Sequence, residues 1–253
     1  MIKINTTHPF CVDQPDFTIH AENFDPLNFD AQSPVKLRGL KLNCSAGQDN
    51  HTNNTLIEES LSRFSGTINC LDLGCAGAQL ILDYDKQNKT DTCIGLDGSC
   101  GVYKHSNWHD ENNKNVLHHA DLVKPFLVEN EEGSQVKFQI ITCWEVIEHF
   151  EEKDLDMFFR NVCNHLSEEG IFFGSIALFE DTRDSDGFHQ DHPYYKKNDT
   201  QYLLHKTVYD NREEWDRILT RYFKVLDYDF EIKLRNHSNS YYFMCQHKRG
   251  NTI

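Results

Sequence analysis

No stretch of this 253-residue chain approaches the roughly 18 to 20 consecutive apolar residues that a membrane-spanning helix needs. The first ten residues, M-I-K-I-N-T-T-H-P-F, also lack the apolar core of a secretory leader. A cytoplasmic protein is therefore expected, with no membrane partner. Basic residues are scarce as well: 25 Lys and Arg stand against 40 Asp and Glu, a net charge of −15 with His neutral. Such a surface repels phosphate backbones and anionic lipids, so a nucleic acid is not the expected partner. The nine Cys show no C-x-x-C spacing, and Cys70, Cys93 and Cys143 sit inside apolar runs where free thiols pack as small hydrophobes. That pattern points to a reducing compartment. Internal repeats, low-complexity tracts and the G-x-G-x-x-G of a dinucleotide site are all missing, which counts against a nicotinamide oxidoreductase.

What is present is material for a core. The hydrophobic fraction of 38 % includes 17 Phe, 10 Tyr and 3 Trp, enough to fold a globular chain of this length. Residues 1 to 65 show little periodicity beyond a helix over 56 to 64, and Pro15, Pro26 and Pro34 interrupt them. They read as an N-terminal cap segment. From Ile68 onward short apolar runs alternate with helical stretches, predicting strands over 68–73, 92–96, 116–120, 138–143, 171–176, 225–234 and 241–247. A doubly wound α/β sheet of seven strands over 66–250 follows. The spacing of Leu155, Phe158, Phe159, Val162 and Leu166 predicts a helix over 151–166, stopped by S-E-E-G at Gly170. A second helix is predicted over 211–222, and the last two strands, without helix-length sequence between them, pair antiparallel.

The first strand runs into L-D-L-G-C-A-G-A-Q-L, residues 71 to 80, a carboxylate followed by a small-residue turn that opens a helix. Small side chains let a ligand approach the backbone there. Asp97 ends the second strand in I-G-L-D-G-S and Asp121 follows the third in H-H-A-D-L. With Asp72 they make three acidic residues on one edge of the sheet, where open α/β folds bind ligands.

Through D-L-G-C-A-G, G-L-D-G-S, H-A-D-L and C-W-E-V-I-E-H, the chain resembles the class I S-adenosylmethionine-dependent methyltransferases over residues 65 to 247. The resemblance implies a Rossmann-like fold with an antiparallel last strand, and S-adenosylmethionine as cofactor. It implies that Gly74, Cys75, Ala76 and Gly77, with Asp72, cradle the methionine part. Asp97, with Gly98 and Ser99 behind it, would hold the ribose, Asp121 and Leu122 would face the adenine, and Trp144 would flank the cofactor. Two glycines usual in the first motif are here Ala76 and Ala78.

The acceptor end is C-W-E-V-I-E-H, residues 143 to 149. On a helical turn Glu145, Glu148 and His149, three and four apart, point the same way. Two carboxylates and an imidazole suit a divalent ion such as Mg, Mn, Co or Zn, and His205 is the best fourth ligand, with His189 and His192 in reserve. This E-x-x-E-H pattern resembles the metal-dependent O-methyltransferases of ubiquinone biosynthesis and of small-RNA 3′ ends. Glu145, Glu148, His149 and His205 would then be metal ligands, and His149 or His205 would take the acceptor's proton. In metal-free members of the fold, the His after the fourth strand serves as a base or a helix cap, and that reading stays open.

The expected function is O-methylation of a small-molecule or sugar acceptor. The alternatives are 2′-O-methylation of a 3′-terminal RNA ribose, for which only His247, Lys248 and Arg249 offer positive charge, and a non-catalytic cofactor-binding subunit. The 179–195 segment is long and polar enough to be a lid or substrate wall.

Overall fold

The computed structural model describes residues 3–6, 50–98, 106–178, 207, 209, 211–230 and 240–248. Ser99, His189, His192, His205, the 179–195 connection and most of the N-terminal segment lie outside them. The described elements are β1 (Lys3–Thr6), α1 (Asn50–Ser62), β2 (Ile68–Leu73), α2 (Gln79–Asp85), β3 (Thr90–Asp97), β4 (Leu117–His119), β5 (Phe126–Glu129), β6 (Phe138–Trp144), α3 (Leu155–His165), β7 (Leu166–Ala177), α4 (Arg212–Tyr222), β8 (Phe223–Leu226) and β9 (Ser240–His247).

Seven of these strands form one sheet in the order β4-β3-β2-β6-β7-β9-β8. The chain steps outward from β2 through β3 to β4, then returns to the other side of β2 with β6. All pairs from β4 to β7 are parallel, and β9 runs antiparallel to both β7 and β8. The doubly wound Rossmann-like sheet with antiparallel final strands is thus as expected. Its strand order reverses between β2 and β6, and at such a switch point the loops beyond the carboxyl ends diverge and leave a crevice.

Central strands covered on both faces should be apolar nearly throughout. Strand β2 (I-N-C-L-D-L) is buried at every position but Asn69, and β6 at all but Gln139 and Trp144. On one face α3 and α4 pack Phe158, Phe159, Val162, Trp215 and Leu219 against β6, β7 and β9. On the other, α1 and α2 bring Leu56, Ile57, Leu80, Ile81 and Tyr84 over β2 and β3. The Tyr84 hydroxyl, which burial would otherwise strand, pairs with Ser60 Oγ at 2.6 Å.

Several predicted boundaries move. The 151–166 helix begins as a 3-10 turn at Glu152–Asp154 and becomes α-helical only over Leu155–His165. S-E-E-G is not its stop: Leu166 is already extended (φ −66°, ψ 134°) and Ser167 to Gly170 lie inside β7. Gly170 is required there by closeness, since a Cβ would lie 2.9 Å from the Phe138 carbonyl oxygen where the β6–β7 register shifts. The 225–234 strand shortens to Phe223–Leu226 among the described residues. Two strands were not foreseen: β5 pairs antiparallel with β1, from Lys3↔Glu129 to Thr6↔Phe126, as a separate ribbon. At four residues each, they are too short for periodicity to distinguish from loop.

Candidate active site

The turn after β2 is built by close backbone approach. The N–H groups of Gly74 and Cys75 both donate to the Leu96 carbonyl, at 2.8 and 3.2 Å, which presses the turn against the end of β3. Gly74 has φ +76°, and a Cβ on it would sit 2.3 Å from Val146 Cγ2. Only glycine satisfies both conditions. Ala76 (φ 42°) and Ala78 (φ 66°) also hold left-handed backbone, a conformation that costs a β-carbon about 1–2 kcal/mol. The two alanines noted in the sequence therefore occupy glycine-type positions.

Asp97 closes the cradle. Its Oδ2 accepts from Ala76 N at 2.9 Å, and its own backbone carbonyl meets His119 Nδ1 at 3.1 Å. Burial lowers the His119 pKa, opposed by that carbonyl, so the ring is neutral. Trp108, 4.8 Å from the His119 ring, donates its indole N–H to the Ala76 carbonyl at 2.7 Å, and Asn107 Nδ2 donates to the Gly77 carbonyl at 2.7 Å. Sequence reasoning missed Asn107, Trp108 and His119. They follow no spacing rule relative to the turn, and only chain folding brings them to it.

Asp72 stands one residue before the end of β2, 4 % exposed, and accepts from Thr142 Oγ1 at 2.7 Å. Burial pushes its carboxyl up to about 7, partly offset by the Thr142 hydrogen bond and reinforced by the Asp97 charge. Asp121 lies two residues beyond β4, its Oδ1 accepting from Val123 N at 3.1 Å. Leu122 is buried, and its carbonyl is held by Asn161 Nδ2 of α3 at 3.0 Å. Asp72, Asp97 and Asp121 thus sit near the carboxyl ends of three adjacent strands. Gly98 follows at the rim, where a Cβ would approach the Ala120 carbonyl to 3.3 Å.

Beyond β6 the chain does not form the single helical turn assumed from the spacing of Glu145, Glu148 and His149. Glu145 is left-handed (φ 52°), and one 3-10 turn covers only Ile147–His149. Glu145 is pinned to β7 instead: its N–H donates to the Ser175 carbonyl at 3.0 Å and its Oε1 accepts from Ser175 Oγ at 2.6 Å. The geometry has a cause: β6 ends at Trp144, paired with Ser175, and Glu145 must turn away while keeping its N–H bonded to β7.

Glu148 is fully buried, and neither carboxyl oxygen has a hydrogen-bond partner of ordinary geometry. Its pKa is well above the usual range, first through burial and then through the Glu145 charge, while the backbone N–H groups of Glu148 and Ala177 oppose the shift from nearby. Its carbonyl accepts from Thr207 N at 3.1 Å, and Thr207 Oγ1 donates to the Phe150 carbonyl at 2.6 Å. Thr207, two residues after His205, therefore docks on the E-x-x-E-H turn. Among the described residues no three His, Cys, Asp or Glu side chains converge as metal ligands, and His205 lies outside them. The described donors do not by themselves build a cation site. Trp144 ends β6 edge-on to Phe173, with ring centres 5.9 Å apart.

The model of one family, described as a methyltransferase domain, matches residues 48–222, more than half of the sequence. This chain belongs to that methyltransferase family. It is accordingly an enzyme, and the match begins at α1, ahead of the first strand of the sheet. Solved structures share the fold. The protein PH0226 from Pyrococcus horikoshii OT3 has a TM-score of 0.56 at 16 % identity, covering 87 % of this chain and 99 % of its own. An S-adenosylmethionine-dependent methyltransferase from Clostridium acetobutylicum ATCC 824 gives 0.55 at 16 %, covering 87 % and 98 %. The N-methyltransferase NodS from Bradyrhizobium japonicum WM9, solved with S-adenosyl-L-homocysteine, gives 0.52 at 12 %, covering 92 % and 98 %. No curated protein matches the sequence. For this methyltransferase, then, the fold and the transfer class are shared, and the acceptor must be argued from its own residues.

Proposed function

We propose that this methyltransferase takes its methyl group from S-adenosylmethionine and delivers it to a hydroxyl of a neutral small molecule or sugar. Solved neighbours bound to S-adenosylhomocysteine support the donor. So does an electrostatic argument: Asp97 ends β3 and Glu145 follows β6 on one sheet edge, and such a rim favours a cationic sulfonium over a phosphate-bearing cofactor. In this reading Asp72 and residues 74–77 hold the methionine part, Asp97, Gly98 and Ser99 the ribose, Asp121 and Leu122 the adenine, and Trp144 a wall of the cofactor site.

The observation that carries the hydroxyl reading is Glu145. Its left-handed backbone and its hydrogen bond from Ser175 aim a fixed carboxylate from the end of β6, and strained backbone of this kind concentrates at working sites. A positioned carboxylate or imidazole accepts the acceptor's proton as its oxygen attacks the methyl carbon: the carbon–oxygen bond forms, the carbon–sulfur bond breaks, and S-adenosylhomocysteine leaves. His149 and His205 are the imidazoles for that role. A divalent ion would need Glu145, Glu148, His149 and His205 together, and the three of these that are described do not converge as a metal site. The RNA reading loses ground because His247, one of its three basic residues, is engaged with the Leu166 carbonyl at 2.9 Å. The six buried cysteines among the described residues are all free thiols, which supports a reducing, cytoplasmic setting.

The test is transfer of labelled methyl from S-adenosylmethionine to sugars, catechols, amines and short RNAs, with and without chelator. Transfer to a hydroxyl of a neutral acceptor is expected. Turnover unaffected by chelator would assign the proton to the histidines or water and remove the metal; transfer confined to amines would refute the reading.

A further inference from the structure

Strand β9 does more than complete the sheet: it brings a side chain to the acceptor end. Because β9 runs antiparallel to β7, its beginning lies at the carboxyl edge, where Tyr242 pairs directly with Ser175. Ser175 is the residue whose hydroxyl holds Glu145. Alternation places Tyr242 on the sheet face away from Tyr241 and Phe243, both of which belong to the core under α3 and α4. Tyr242 is half-buried, and its phenol, protonated at neutral pH as any tyrosine's is, can donate a hydrogen bond.

An aromatic wall runs along that face. Tyr242 lies 5.4 Å from Tyr228, Tyr228 5.5 Å from Phe230, Phe230 4.8 Å from Phe173, and Phe173 5.9 Å from Trp144 (ring centres). At its Trp144 end the indole Nε1 is shielded from solvent and has no hydrogen-bond partner. A donor left this way is costly unless something accepts from it.

We propose that Tyr242 is an acceptor-binding residue which, with Ser175-held Glu145 and Trp144, forms a subsite for an uncharged, ring-shaped polyol of the pyranose type. The inference rests on the hydroxyl reading above and narrows it. Each partner suits such a ring: apolar C–H faces lie on aromatic rings, while ring hydroxyls donate to Glu145 and accept from the phenol and indole. The net charge of −15 fits an acceptor without phosphate.

The test is saturation-transfer NMR on the full chain loaded with S-adenosylhomocysteine, using methyl glycosides of glucose, galactose and mannose, with catechol as a flat comparison. At least one glycoside should receive saturation on its ring protons. Tyr242→Phe, which keeps the ring, should weaken that glycoside about three- to tenfold, the worth of one hydrogen bond, with S-adenosylhomocysteine affinity unchanged. Silence from all three glycosides, or equal binding by Tyr242→Phe, overturns the proposal. Catechol methylation alongside silent glycosides overturns it while sparing hydroxyl transfer; methylation of amines alone overturns both.

Discussion

Gly74, Ala76 and Ala78 show how much one β-carbon decides. Gly74→Ala combines a left-handed φ with a contact 2.3 Å from Val146 Cγ2, so the turn must open. We expect calorimetry with S-adenosylmethionine to show at least about tenfold weaker binding, matching the roughly 1–2 kcal/mol of backbone strain alone. Ala78→Gly runs the other way: relief of about 1–2 kcal/mol of strain offsets the roughly 0.5–1 kcal/mol of chain entropy that glycine costs. Its Tm should hold or rise, and a fall of several degrees would show that the left-handed alanine is not strained. Asp72 supplies a pH signature. Its carboxyl is raised from 3.8 to about 7 in the folded chain, so the native state keeps a proton that the unfolded chain releases. Stability from this group is whole below about pH 4, declines as pH rises, and is lost by about pH 7. Asp72→Asn, whose amide oxygen still accepts from Thr142, should flatten that part of the curve in urea titrations across this range. An identical slope in both proteins would place the titration elsewhere.

At the scale of elements, α3 is the clamp that holds the loop beyond β4. Asn161, 3 % exposed, donates to the carbonyls of Leu122 and Lys124 at 3.0 and 2.7 Å. One turn later His165 accepts from Val128 N at its Nε2 at 3.1 Å and donates its Nδ1–H to the Asn161 carbonyl at 2.7 Å. Burial lowers the His165 pKa to about 4, in keeping with a neutral ring used as a structural linker. One helix face therefore satisfies backbone groups along 122–128, beside the β1 ribbon and the local bonds from Val123 N and Lys124 N to Asp121. Asn161→Ala should cost about 1–3 kcal/mol by urea unfolding, the penalty for stranding buried carbonyls. It should also weaken S-adenosylmethionine through the Asp121–Leu122 loop, and unchanged affinity would show that this loop does not touch the cofactor. The α3 pattern was legible because apolar residues recur at helical spacing. Its polar work was not, because Asn161 and His165 in the sequence look like solvent-facing positions.

Across the whole molecule, a strand order reversing at β2 and β6 brings the glycine-type turn, Asp97 and the E-x-x-E-H segment to one edge. Local pattern alone specified a good deal: the alternation of strands and helices, the antiparallel close, the small-residue turn, and the acidic residues at successive strand ends. These are short-range signals, set by side-chain period and turn chemistry within a few residues. Tertiary structure decided the rest. Trp108 reaches back 32 residues to the Ala76 carbonyl, Ser175 reaches 30 to Glu145, and β9 folds antiparallel to set Tyr242 beside them. It also broke the assumed helical turn: the β6–β7 ladder holds the Glu145 N–H, so Glu145 and Glu148 share no helical face. Sequence spacing carries local geometry, whereas burial, strain and the meeting of distant side chains exist only once the sheet has closed.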